Sequence, residues 1–188
     1  MKEQFNEHNQ IFQQMQNDTY LHTLISQVVD LLIYTFKNGN KVLICGNGGS
    51  AADSQHFATE LVSRFRTERK ALNAEALTTD TSCITAISND YSFNRIFSRQ
   101  VQAKGKEGDV LIGITTSGNS KNIVKAFKQA RSQDMITVAM TGNFENMKCE
   151  KYADYVLKIP SQDTARIQEA TSFIYHVICE YVEAEFNV

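Results

Sequence analysis

One proline, Pro160, occurs in 188 residues, and no tract is of low complexity or of one charge sign. No linker or internal repeat is visible, so residues 1–188 read as a single domain; two would fit tightly in this length. Four cysteines stand at 45, 83, 149 and 179, and none forms a CxxC motif. Cys45 lies in an apolar run and Cys179 in an amphipathic pattern, as buried free thiols do. All four are expected reduced, which suits the cytoplasm. No apolar run nears the ~20 residues that a bilayer requires. The opening Met1-Lys2-Glu3-Gln4-Phe5-Asn6-Glu7 has no apolar signal core. A net charge of −2 gives no pull toward nucleic acid or an anionic membrane, so neither is expected as a partner. The local cluster Arg64, Arg66, Arg69 and Lys70 reads as a solvated helix end.

What is present is ample apolar material. With 42% hydrophobic and 21% charged residues, the chain can build a packed core. Residues 1–39 are helical in period: Phe5, Ile11, Phe12 and Met15, then Leu21, Leu24, Ile25, Val28, Leu32 and Phe36. Asn17-Asp18-Thr19 breaks and recaps this stretch, and Asn38-Gly39-Asn40 ends it. In 40–188, short apolar runs at 41–45, 72–77, 110–114, 136–140 and 155–159 read as strands. Helical patterns lie at 51–66, 119–133 and 164–186. Such alternation with near-continuous apolar strands predicts an α/β three-layer αβα sandwich. Its five-stranded parallel sheet is expected in the flavodoxin-like order 2-1-3-4-5 with right-handed crossovers. The N-terminal helical hairpin is extra to that scheme, and hairpins of this kind often pack on a partner subunit.

Ligands in such sheets bind beyond the C-terminal strand ends. Two loops lie there, Gly46-Asn47-Gly48-Gly49-Ser50 after strand 1 and Thr116-Ser117-Gly118-Asn119-Ser120 after strand 3. Glycines let the backbone approach an anion, the following helix start favours negative charge, and Ser50, Thr115, Thr116, Ser117 and Ser120 add hydroxyls. Either loop alone is compatible with a tight turn; two on neighbouring strands point to phosphate. There is no Walker lysine and no GxGxxG, so a phosphate ester smaller than a nucleotide is favoured.

His56 and Glu60 stand at i and i+4, on one helix face that Arg64 extends by a turn. Alone this is an exposed ion-pair row. One turn beyond a phosphate loop, it can line the same pocket, where a His/Glu pair transfers protons or holds a metal. His176 sits among apolar residues, and a satisfied core histidine is the plain alternative. Gln168 lies eight residues earlier, about 12 Å along a helix and about 80° around it. The two can face opposite ends of a substrate or meet residues of another subunit. Asn89-Asp90 reads as a polar loop after strand 2, near the same strand ends.

Together these segments resemble the sugar isomerase (SIS) domain family, and within it the phosphoheptose isomerases. The resemblance spans nearly the whole chain. It is carried by Cys45-Gly46-Asn47-Gly48-Gly49-Ser50-Ala51-Ala52-Asp53, Gln55-His56-Phe57, Leu77-Thr78-Thr79-Asp80-Thr81, Asn89-Asp90-Tyr91, Thr116-Ser117-Gly118-Asn119-Ser120 and Ala165-Arg166-Ile167-Gln168-Glu169. It implies conversion of sedoheptulose 7-phosphate to D-glycero-D-manno-heptose 7-phosphate, the entry to heptose for lipopolysaccharide or capsule. By the same resemblance Ser50, Thr115, Ser117 and Ser120 bind the phosphate, with Gly48, Gly49 and Thr116 in the loops. Asn47, Asn89, Asp90, Arg64 and Gln168 contact the sugar, and Glu60 and His176 form the acid–base pair. His56, Glu60, Gln168 and His176 match the zinc ligands of members that hold the metal. The family forms homotetramers with active sites at subunit interfaces. Two departures stand out: Thr115 replaces a usual serine, and Ala170-Thr171-Ser172 replaces a usual apolar residue and histidine.

Ketose–aldose exchange moves a proton between adjacent carbons through a cis-enediol. A carboxylate in a closed pocket, its pKa raised toward the useful range, suits the carbon step. That role falls to Glu60, and His176 serves the oxygen or the opposite carbon. A non-catalytic SIS relative that binds the replication initiator is the alternative, but such relatives lack the counterparts of Glu60 and His176. A sugar-phosphate sensor is a further alternative, without a DNA-binding segment here to accompany it.

Overall fold

A computed structural model describes residues 1–187. Five parallel strands, β1 (Val42–Gly46), β2 (Ala74–Ala76), β3 (Val110–Ile114), β4 (Ile136–Gly142) and β5 (Tyr155–Ile159), form one sheet in the order β2-β1-β3-β4-β5. This is the order expected from the alternation of patterns. Strand side chains alternate between the two faces. Leu43, Cys45, Leu111 and Ala139 pack under α5 (Ile96–Lys104) and α6 (Lys121–Arg131), with Phe97, Val101, Ile123 and Phe127. Val42, Ile44, Val110, Ile112, Val138 and Met140 pack under α2 (Thr19–Lys37), α3 (Gly49–Val62) and α7 (Thr164–Ala184).

The N-terminal helices, α1 (Lys2–Asn17) and α2, are separated at Asp18. Its carboxylate accepts the Leu21 N–H at 2.9 Å, capping α2 as the sequence predicts. The α2 helix buries Val28 and Leu32 against α7 and β5, while α1 packs on α7. Among the described residues, no helix is long and apolar enough to cross a membrane.

Between β2 and β3 the sequence reading needs correction. Asn89 and Asp90 are not in a loop but end α4 (Thr81–Asp90). Asp80 caps this helix by accepting the Cys83 N–H at 2.9 Å, and Cys83, Ile84 and Ile87 are its half-buried apolar side chains. The apolar signal is thin because this helix buries no residue fully. A 3₁₀ turn, Phe93–Arg95, then leads into α5. The second strand is three residues, shorter than expected.

Candidate active site

The ends of β1 and β3 are paired, with Gly46 opposite Ile114, so the two loops leave the sheet side by side. Gly48, at φ 57°, caps the start of α3. A Cβ at Gly49 would collide with the Gln168 amide, so glycine there admits α7 to the first loop. Ser50 and Thr115 are buried, and Thr115 Oγ1 donates to Ser120 Oγ at 3.1 Å. Ser117 Oγ accepts the Asn119 N–H at 3.2 Å. Asn47 and Asn122 exchange amide hydrogen bonds of 2.9 and 2.7 Å, tying the first loop to the first turn of α6.

Helices α3 and α7 run side by side in the same direction. Gly49 meets Gln168, His56 meets Tyr175 and His176, and the chain just beyond α3 meets Glu183. This pairing gathers His56, Glu60 and His176. One ligand atom from each lies within 4.8 Å of the other two. His56 Nε2 is 3.0 Å from Glu60 Oε1 and 3.4 Å from His176 Nε2. Burial lowers the His176 pKa, the neighbouring His56 adds to this, and Glu60 opposes it. Phe65 stacks on the His176 ring at 5.5 Å. The cluster begins seven residues after Gly49, about 10 Å along α3.

Comparisons with known proteins give the family. The SIS domain family matches residues 4–142. The phosphoheptose isomerase of Clostridium acetobutylicum is 55% identical over 161 residues, covering 86% of this chain and 82% of that protein. That of Campylobacter jejuni is 48% identical over 186 residues, covering 99% and 98%. The structure of the phosphoheptose isomerase from Neisseria gonorrhoeae superposes with a TM-score of 0.90 at 41% identity, covering 97% and 96%. The chain belongs to the phosphoheptose isomerase family of SIS-domain proteins.

Arg64 apart, the site residues expected from that family divide into three groups. Asn47, Gly48, Gly49, Ser50, Thr115, Thr116, Ser117 and Ser120 lie together at the paired strand ends, with Gln168 against Gly49. His56, Glu60 and His176 form the second group; Gln168, the fourth expected metal ligand, packs two turns of α3 before His56. Two imidazoles and a carboxylate within reach of one point are a donor set that zinc accepts, with positions left for a substrate oxygen. Asn89 and Asp90 form the third, exposed at the end of α4, where Asn89 Nδ2 donates to Asp90 Oδ1 at 2.9 Å.

Two expectations for the basic segment fail. Arg64 does not extend the His56/Glu60 face, because α3 ends at Val62 and Arg64 is exposed beyond it. Arg69 is not solvated but 6% exposed, and its guanidinium donates to the carbonyls of Glu60, Ser63 and Lys70. The glutamate it needs, Glu183, is 114 residues away in sequence, so no local signal shows it.

Sequence reasoning also missed Asn122, Asp53 and Tyr175. Asp53 lies one turn before His56; burial raises its carboxyl pKa, partly countered by His56, and Oδ2 is buried without a partner. Asn and Tyr inside helical patterns read as ordinary surface or core residues, and only the fold shows what they touch.

Proposed function

We propose that the protein interconverts sedoheptulose 7-phosphate and D-glycero-D-manno-heptose 7-phosphate as the first step of heptose synthesis for lipopolysaccharide or capsule. The observation that carries the reading is the His56, Glu60 and His176 cluster on the same two helices that frame the first phosphate loop. The non-catalytic alternative, binding to a replication initiator, is not favoured, because these side chains are all present and converge.

In this reading the phosphate sits at the two loops, held by Ser50, Thr115, Ser117 and Ser120 and by the starts of α3 and α6. Anchoring a non-reacting end orients the sugar. Gln168 and Asn47 meet the sugar beside the loops, and Arg64, Asn89 and Asp90 serve as further contacts. Glu60 removes the proton from C1 of the ketose and returns it to C2 of the enediol. His176 moves the matching proton between the two oxygens. A zinc ion held by His56, Glu60 and His176 would instead polarise the carbonyl itself, replacing the oxygen role of the His176 lone pair. The low proton affinity that burial imposes on His176 keeps it neutral near pH 7, able to accept as well as donate.

The assembled form is a homotetramer whose subunits complete one another's sites, and the enzyme works in the cytoplasm. Support for assembly comes from an apolar groove of about 930 Å³ between α1, α2 and α7, lined by Phe12, Leu21, Ile25, Val29, Phe173 and Tyr181. Four free thiols, with burial raising Cys45, Cys149 and Cys179, support a reducing compartment.

Incubation with sedoheptulose 7-phosphate, with and without zinc, should yield the aldose. Absence of turnover in both conditions would sink the reading. Glu60→Gln should lower kcat by about 10²–10⁴-fold while the substrate still binds.

A further inference from the structure

The structure gives the segment Ala170-Thr171-Ser172 a neighbour in the site. Ser172 Oγ is 2.6 Å from Tyr175 Oη, and Tyr175 Oη is 2.9 Å from His56 Nδ1. Behind the hydroxyl, the Tyr175 ring is wholly buried and stacks on Phe57 at 5.2 Å with planes 17° apart. The phenol is thus held in one place by packing, and among the described residues its hydrogen-bond partners are Ser172 and His56. Phenylalanine would fill the same space; the hydroxyl adds nothing but those two bonds.

We propose that Tyr175 is a positioning residue for His56, and that its hydroxyl, backed by Ser172, fixes how the imidazole presents Nε2 to Glu60 and His176. This rests on the isomerase reading only in taking that cluster as the working site. A hydroxyl is suited to the task because it both donates and accepts. When His56 Nε2–H donates to Glu60 Oε1, Nδ1 accepts from the Tyr175 hydroxyl and Ser172 donates to Tyr175 Oη. When the Nε2 lone pair faces a divalent cation, Nδ1–H donates to Tyr175 Oη and the phenol donates to Ser172 Oγ. The ring stays in place in both arrangements, and only hydroxyl protons reorient around it. Partners on the far nitrogen set tautomer and ring orientation in this way at histidine sites generally.

The test is Tyr175→Phe in the full-length protein. In the metal-free state, ¹⁵N NMR of labelled histidine should show a hydrogen-bonded His56 Nδ1 in the wild type and an Nδ1 shifted toward its unbonded value in the variant. Zinc affinity, measured by competition with a chromophoric chelator, should fall by about 10–100-fold. Unchanged His56 nitrogen shifts overturn the proposal, whatever the zinc result. If the wild type takes up no zinc, the nitrogen shifts alone decide. Should Tyr175→Phe fail to fold, Ser172→Ala leaves the ring in place and must move the same shifts, to a smaller extent; no movement overturns the proposal. Neither readout depends on turnover, so an inactive wild type would overturn the isomerase reading without touching this one.

Discussion

Glu183 is almost fully buried, yet its carboxylate accepts backbone N–H bonds from Phe65, Arg66 and Thr67 at 2.8, 2.7 and 2.9 Å. Arg69 Nε, otherwise without a partner, lies 3.6 Å from Glu183 Oε1. Burial alone would raise the Glu183 pKa, but the three N–H donors outweigh it and hold the carboxyl below its ordinary 4.5. A depressed carboxylate stabilises the fold above its unfolded pKa, and that contribution disappears as pH falls through the native value. Glu183→Gln should therefore cost roughly 3–5 kcal/mol at neutral pH, because Arg69 loses its buried counter-charge. The gap between wild type and variant, measured by urea unfolding, should narrow as the pH is lowered below the ordinary carboxylate range. A constant gap across that range would show that the charge is not what Glu183 contributes. The same three bonds hold the segment that lays Phe65 on His176, so stability and site geometry share this residue.

At the scale of elements, the site is a consequence of two helices in parallel register. The α3 and α7 pairing sets the first loop against Gln168 and the His56, Glu60 and His176 cluster against Tyr175. The i, i+4 spacing of His56 and Glu60 is legible in the sequence because it is local. Their meeting with His176 is not, since a spacing of 120 residues carries no periodic signal. The α6 helix joins the site through the Asn47–Asn122 amide pair, which is equally non-local. Asn122→Ala should destabilise the protein by about 1–3 kcal/mol, leaving the Asn47 amide without its partner. On the proposed placement of the phosphate at this loop, it should also raise KM for the sugar phosphate more than it lowers kcat. Equal loss in both parameters would place Asn122 in the chemistry instead. The missed α4 has the opposite cause: its Asp80 cap is a clear local signal, but a helix with no fully buried residue gives little apolar pattern to read.

At the scale of the whole molecule, an apolar groove lies open between α1, α2 and α7. Phe173 is 49% and Tyr181 63% exposed on the helix that carries Gln168 and His176. Covering that face with a second copy would bury the aromatics and brace the site from behind. Phe173→Glu places a charge there and should shift sedimentation toward smaller species, with a larger loss of turnover than of melting temperature. A variant that sediments like the wild type would remove this face from the assembly. Dissociation with full activity would instead show that each chain holds a complete site.

The sequence by itself determined the strand–helix alternation, the sheet order, the two loops at neighbouring strand ends and the helical face of His56 and Glu60. These follow from hydrophobic period, glycine placement and the right-handed crossover, all of which act over a few residues or one βα unit. Only the tertiary structure decided that Arg69 is buried on Glu183, that Arg64 leaves the helix, that Asn47 grips Asn122 and that Tyr175 touches His56. Each of these depends on side chains brought together by sheet packing across 75 or more residues, or on where a helix stops, and neither is written in local spacing.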